Sequence, residues 1–146
     1  MKGRCLCRAV QYEIEPPIIS CAHCHCESCR RASSAAFVTW ATVDSWRLRI
    51  TSGNEKLIRY ESSPGAFRIF CGTCGSQLFM EYKVEPESIY VTVGSLNSPK
   101  DVMPDRHFSF EERVVWFAPN DALPKYRGKS GNFCSNEDIG GKSSLS

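Results

Sequence analysis

The chain has 146 residues, enough for one hydrophobic core and short for two, with 42% hydrophobic, 23% charged and 11% aromatic residues. That composition excludes a largely disordered chain, and no stretch approaches the roughly 18 apolar residues of a membrane-spanning helix. A formal charge of +2 gives no general basic footprint for nucleic acid, and Met1-Lys2-Gly3-Arg4-Cys5 lacks the apolar segment of a secretory signal, so a cytoplasmic protein without nucleic-acid or membrane partners is expected.

In chain order, residues 10–14 are predicted as a strand: Val10, Tyr12 and Ile14 alternate with Gln11 and Glu13, and Pro16-Pro17 ends the ladder. Residues 18–21 read as the next strand, and residues 27–33 have room for one or two turns of helix. A buried-looking run follows over 36–43, then strands over 46–50, 56–61, 67–70, 77–82 and 89–93. A last stretch around His107 runs on as a strand to Phe110. Turn chemistry at Ser52-Gly53-Asn54 and Ser63-Pro64-Gly65 separates these segments, which together predict a mainly β fold of antiparallel sheets with little helix. One domain is expected over residues 1–127. Residues 128–146, rich in Gly, Ser, Asn and Lys, read as a flexible C-terminal tail in which Cys134 has no assigned role.

The nine cysteines are odd in number and cluster as C-x-C, C-x-C-x-x-C and C-x-x-C-G, which favours metal ligation over disulfides. Thiolates bound to two zinc ions would bring the net charge to about −1. Cys71-Gly72-Thr73-Cys74-Gly75 is the most specific local signal, a knuckle whose glycine permits the turn that aims both sulfurs at one metal. Its missing half is expected from Cys5-Leu6-Cys7, giving a closed, structural four-cysteine site.

Cys21, Cys24, Cys26 and Cys29 remain. Either all four close a second structural site, or Cys24, Cys26 and Cys29 ligate while Cys21 packs in the preceding strand, leaving the open position that catalytic zinc sites keep. His23 and His25 alternate with the cysteines and are expected to point away from the shared metal. His107 reads as a hydrogen-bonded strand histidine. Arg30 and Arg31 are either solvated charge or receivers of a ligand carboxylate.

The ordered set Gly3-x-Cys5-x-Cys7, Cys24-His25-Cys26-x-x-Cys29-Arg30-Arg31, Tyr60-x-Ser62-Ser63-Pro64-Gly65 with Arg68, Phe70-Cys71-x-x-Cys74-Gly75-Ser76-x-Leu78, Gly94-Ser95-Leu96, Pro104 with His107, Trp116 and Leu123-Pro124 resembles the glutathione-dependent formaldehyde-activating enzyme family. The resemblance implies a zinc-bearing β-tent fold with two zinc ions per chain. Cys5, Cys7, Cys71 and Cys74 would hold the structural ion, and Cys24, Cys26 and Cys29 a catalytic or exchangeable one. The implied reaction is that of a carbon-sulfur lyase or synthase, the reversible addition of glutathione to formaldehyde to give S-(hydroxymethyl)glutathione. Arg30, Arg31 and Arg68 are the candidate partners of glutathione's carboxylates. Ser34-Ala35-Ala36 departs from the Gly-Ala-Pro that often follows the arginines in this family. The alternative is a non-catalytic, zinc-stabilised module that binds a protein or a small thiol.

Overall fold

The computed structural model describes residues 1–129 and 132–134. In chain order the strands are β1 (Lys2–Arg4), β2 (Gln11–Ile14), β3 (Ser20–Cys24), β4 (Val38–Asp44), β5 (Leu48–Ser52), β6 (Leu57–Ser63), β7 (Ala66–Cys71), β8 (Gln77–Tyr82), β9 (Ser88–Thr92), β10 (His107–Phe108), β11 (Tyr126–Arg127) and β12 (Asn132–Phe133). Among the described residues the α-helix is α1 (Glu27–Ser33), so the mainly β class with little helix is found as expected. The trace separates into two compact units, Met1–Cys21 with Thr39–Pro104, and Ala22–Val38 with the chain from Asp105.

In the first unit, β1, β2 and β5 form a small antiparallel sheet in that order. A larger antiparallel set runs β4-β9-β8-β7-β6. Each contributes alternate side chains to one core, Tyr12 and Ile14 from β2 against Ala41, Val43, Phe79 and Val91. The Tyr12 and Phe79 rings meet edge to face with centroids 4.9 Å apart. Lys2 to Arg4 pair with Gln11 to Glu13, a strand the sequence reading did not mark. Its middle residue is glycine, and a Cβ on Gly3 would come within 2.1 Å of Tyr12 Cζ and 2.2 Å of its hydroxyl. The predicted strand over 46–50 starts later than expected: Ser45–Arg47 make a 3-10 turn before β5.

In the second unit, β10 lies parallel to β3, with His107 opposite His23 and Phe108 opposite Cys24. The helix starts at Cys26, whose sulfur accepts a hydrogen bond from the Cys29 N–H at 3.4 Å. It stops at Ser34, which adopts a left-handed conformation (φ 52°, ψ 38°) and returns its N–H to the Arg30 carbonyl. The family that the sequence resembles often has glycine here, and the backbone takes the conformation glycine adopts without strain. The segment expected to be a tail contributes β12, paired with β11, and the buried Cys134, whose N–H donates to Lys125 O at 2.8 Å. The rest of that segment, residues 130–131 and 135–146, lies outside the described residues. No helix among the described residues is long and apolar enough to cross a membrane.

Two substitutions test these backbone constraints by denaturant unfolding. Gly3→Ala is expected to destabilise by about 1–3 kcal/mol through overpacking against Tyr12. Ser34→Gly is expected to stabilise by about 1 kcal/mol by relieving the left-handed Cβ; a loss of stability would refute the strain reading.

Candidate functional site

The first cysteine cluster belongs to the first unit. After β1 the chain turns back through Cys5 to Ala9, with Arg8 in the left-handed region (φ 67°), and this turn rather than a strand carries Cys5-Leu6-Cys7. Cys71 ends β7, and the Gly75 N–H closes the knuckle onto Cys71 O at 2.7 Å with φ 75°. Ser76 ties the halves together. Its hydroxyl oxygen accepts from the Leu6 N–H at 3.0 Å and lies 3.2 Å from Cys74 Sγ.

The four sulfurs all lie within 4.8 Å of one another. Cys5 to Cys7 is 3.5 Å and Cys7 to Cys71 is 3.9 Å. A tetrahedron built on zinc–sulfur bonds of about 2.3 Å has edges of about 3.8 Å, so the donor set fits zinc in both chemistry and size. Ser76 above all, then backbone N–H groups, holds the Cys74 thiol down at about 5, close to the thiolate a metal requires.

The second cluster belongs to the second unit and is built from three kinds of local structure. Cys24 ends β3, Cys26 caps the helix, and Cys29 lies in the first helical turn. Their ligand atoms also lie within 4.8 Å of one another. Hydrogen bonding to Cys26 and then to Cys29, with burial, pushes the Cys24 thiol far up. Three crowded sulfurs resist joint ionisation unless a cation lies among them, so this donor set too suits a metal ion.

Cys21 is absent from this group and packs in the core of the first unit. Parity explains the separation, because residues three apart on a strand project to opposite faces. The structure thus groups Cys24, Cys26 and Cys29 and leaves Cys21 outside that group.

His23 and His25 are not among the grouped donors. His25 is fully buried between Phe37 and Phe110, with ring centroids 5.2 and 5.3 Å away. Burial, then the neighbouring His107 and His23, pushes its pKa down to about 3. His107 sits on β10 as a hydrogen-bonded strand histidine. One ring nitrogen lies 2.8 Å from His25 and the other 3.0 Å from the Asp121 carboxylate. Asp121 carried no signal in the sequence, since it lies in a loop 14 residues from its partner.

The arginines part company. Arg31 is spent on Glu27, one helical turn away at 2.7 Å. Arg30 donates from Nε to the His25 carbonyl at 3.2 Å, which fixes its side chain beside the cysteine loop. Arg68 is buried on β7 in the first unit, opposite Tyr60 and Met80.

A β protein with two preformed cysteine clusters, each able to hold a metal ion, is the class that fold and site define. A family model described as glutathione-dependent formaldehyde-activating enzyme matches residues 1–112, and the chain belongs to that family. It is 40% identical over 83 residues to a Schizosaccharomyces pombe protein named as an uncharacterized lyase, a match spanning 56% of this chain and 57% of that one. The crystal structure of a Rhodobacter sphaeroides protein is similar with a TM-score of 0.59 and 33% identity, over 69% of this chain and 94% of the other.

The two clusters should separate on mutation. Cys71→Ser is expected to lose one metal ion per chain by elemental analysis and about 4 kcal/mol or more of stability, since it breaks a site spanning the first unit. Cys26→Ser is expected to keep the first metal while losing the second. Loss of both metal ions from Cys26→Ser would show that the clusters are not independent.

Proposed function

We propose that the protein is a zinc-dependent carbon-sulfur lyase or synthase that interconverts glutathione plus formaldehyde with S-(hydroxymethyl)glutathione. The observation that carries this reading is the second cluster, in which three cysteines converge without a fourth donor among the described residues. Family membership and the lyase-named relative support the reaction class. In the forward direction a carbon–sulfur bond forms as the carbonyl π bond opens, and the hydrogen that leaves sulfur ends on oxygen. When bound at Cys24, Cys26 and Cys29, zinc supplies stabilisation of a substrate thiolate at neutral pH.

The chain's own groups hold and orient. Cys26 joins the cluster to the helix N-terminus, so the ligand loop keeps its shape without the substrate. Arg30, held by the His25 carbonyl, is the first candidate for a glutathione carboxylate. Arg31, whose Nε is held by Glu27, is a second candidate through its remaining N–H groups, and Arg68 is a candidate in the first unit. The structural role falls to Cys5, Cys7, Cys71 and Cys74.

Native mass spectrometry with zinc counting, before and after adding glutathione, tests the binding half of this reading. Two zincs and a one-to-one adduct, or loss of one zinc as glutathione binds, are expected. Two zincs with no response would favour the non-catalytic binding module. For the chemical half, exchange between formaldehyde and its glutathione adduct should be accelerated by the wild type and reduced at least about 100-fold in Cys26→Ser or Cys29→Ser. Full activity in either variant would sink the metal's role.

A further inference from the structure

The larger sheet of the first unit ends at β6, which pairs with β7 on one side and, among the described residues, with no strand on the other. An edge of this kind presents a row of unpaired N–H and C=O groups, ready to pair with another strand. Seven residues run along it, and Ile58 and Tyr60 are 47% and 60% exposed. A bulge between Glu61 and Ser63, followed by Pro64, interrupts the edge at its hairpin end and leaves residues 57–61 in regular register.

The ladder fixes which of these residues face outward. The Gly72 N–H donates to the Lys56 carbonyl at 2.7 Å, whereas the Cys71 N–H turns the other way, to Ser76. Ile58 opposes Phe70 and Tyr60 opposes Arg68, so the backbone groups of Ile58 and Tyr60 point at β7 and those of Leu57, Arg59 and Glu61 point at the free edge. The side chains of Arg59 and Glu61 share one face of the sheet and carry opposite charges.

A second copy of the same strand, laid antiparallel on this edge, matches those outward groups only when the two-fold axis passes through a residue. An axis at Arg59 sets guanidinium against guanidinium, and one at Glu61 sets carboxylate against carboxylate. An axis at Ile58 leaves Arg59 opposite leucine. Only the axis at Tyr60 sets Arg59 opposite the partner's Glu61 on both sides, and it brings the two Tyr60 side chains together at the closer, non-hydrogen-bonded kind of position.

We propose that two copies of this chain join edge to edge, β6 against β6 about a two-fold axis at Tyr60, with each Arg59 facing the partner's Glu61. Each facing pair exchanges two backbone hydrogen bonds, and the Tyr60 rings meet on the sheet face opposite the charges. Within one copy, Arg59 Nε is engaged by Glu81 at 3.1 Å and Glu61 Oε1 by the Gly65 N–H at 2.9 Å. The Arg59 Nη groups and Glu61 Oε2 are the atoms that meet across the axis. One edge strand buries less than the roughly 1,200–2,000 Å² of a standard interface, so association is expected at micromolar rather than nanomolar concentration.

The test is sedimentation equilibrium of the full chain loaded with zinc, from about 1 μM to about 1 mM, over which its mean mass is expected to rise from one chain to two. Arg59→Glu and Glu61→Arg each turn both facing pairs into like charges, and each is expected to weaken self-association about tenfold or more. An equimolar mixture of the two variants has opposite charges at both positions again, and is expected to form a mixed dimer of wild-type strength. In the wild type, amide exchange at Arg59 and Glu61 is expected to slow as protein concentration rises, while Ile58 and Tyr60, bonded to β7, are protected throughout.

A wild-type chain that stays monomeric to about 1 mM overturns the proposal. So does a dimer that both charge reversals leave intact, which places the contact on another surface, or a mixture that associates no better than its components. Protection of Arg59 and Glu61 that does not vary with concentration overturns it as well, because the edge is then covered within a single chain. If either variant fails to fold, wild-type sedimentation and exchange still decide.

Discussion

Sulfur atoms held within van der Waals reach of one another are the constraint on which the rest of this structure depends. Thiolates so placed repel, and in the second cluster crowding and burial hold the Cys24 proton on, so positive charge among the members suits each cluster. The fold brings Cys5 and Cys7 to Cys71 and Cys74 across most of the first unit, and both sheets of that unit terminate near the ligands. Cys5 and Cys71 are themselves core residues, packed with Val10 and Leu78. Metal occupancy and core packing in this unit are therefore one problem, and a site of this kind contributes directly to folding.

The second cluster is held differently. Its sulfurs come from one six-residue stretch, Cys24 to Cys29, and are spaced by a change of local structure from strand to cap to helix. Long-range support arrives through histidines instead of cysteines: β10 lays His107 against β3, and Asp121 orders His107. A local ligand loop backed by a buried hydrogen-bond chain suits a centre that must admit a ligand, whereas a cross-linked one suits a centre that must not open.

Much of this could be read from the residues. Alternation placed most strands to within a few positions, and cysteine spacing separated the two clusters. What spacing could not decide was the place of Cys21; the answer lies in the parity of β3, whose end had first to be located. The strand Lys2–Arg4 escaped notice because its short polar sequence has no apolar period, and only its pairing with β2 defines it. Cys5 and Cys7 meet through a turn, a geometry that their spacing alone does not specify. Asp121 was invisible for a deeper reason. A carboxylate in a loop gains its meaning from the buried ring it faces, and that pairing is tertiary.

Cys26 leads somewhere further. It is at once the cap of a seven-residue helix and a member of the second cluster. A helix of that length has little stability of its own in water, so its order depends on what holds its first turn. Oxidation of this one sulfur to a sulfenic acid would remove a ligand and disturb the cap together. The loop thus couples the redox state of a single atom to the shape of the peptide around it.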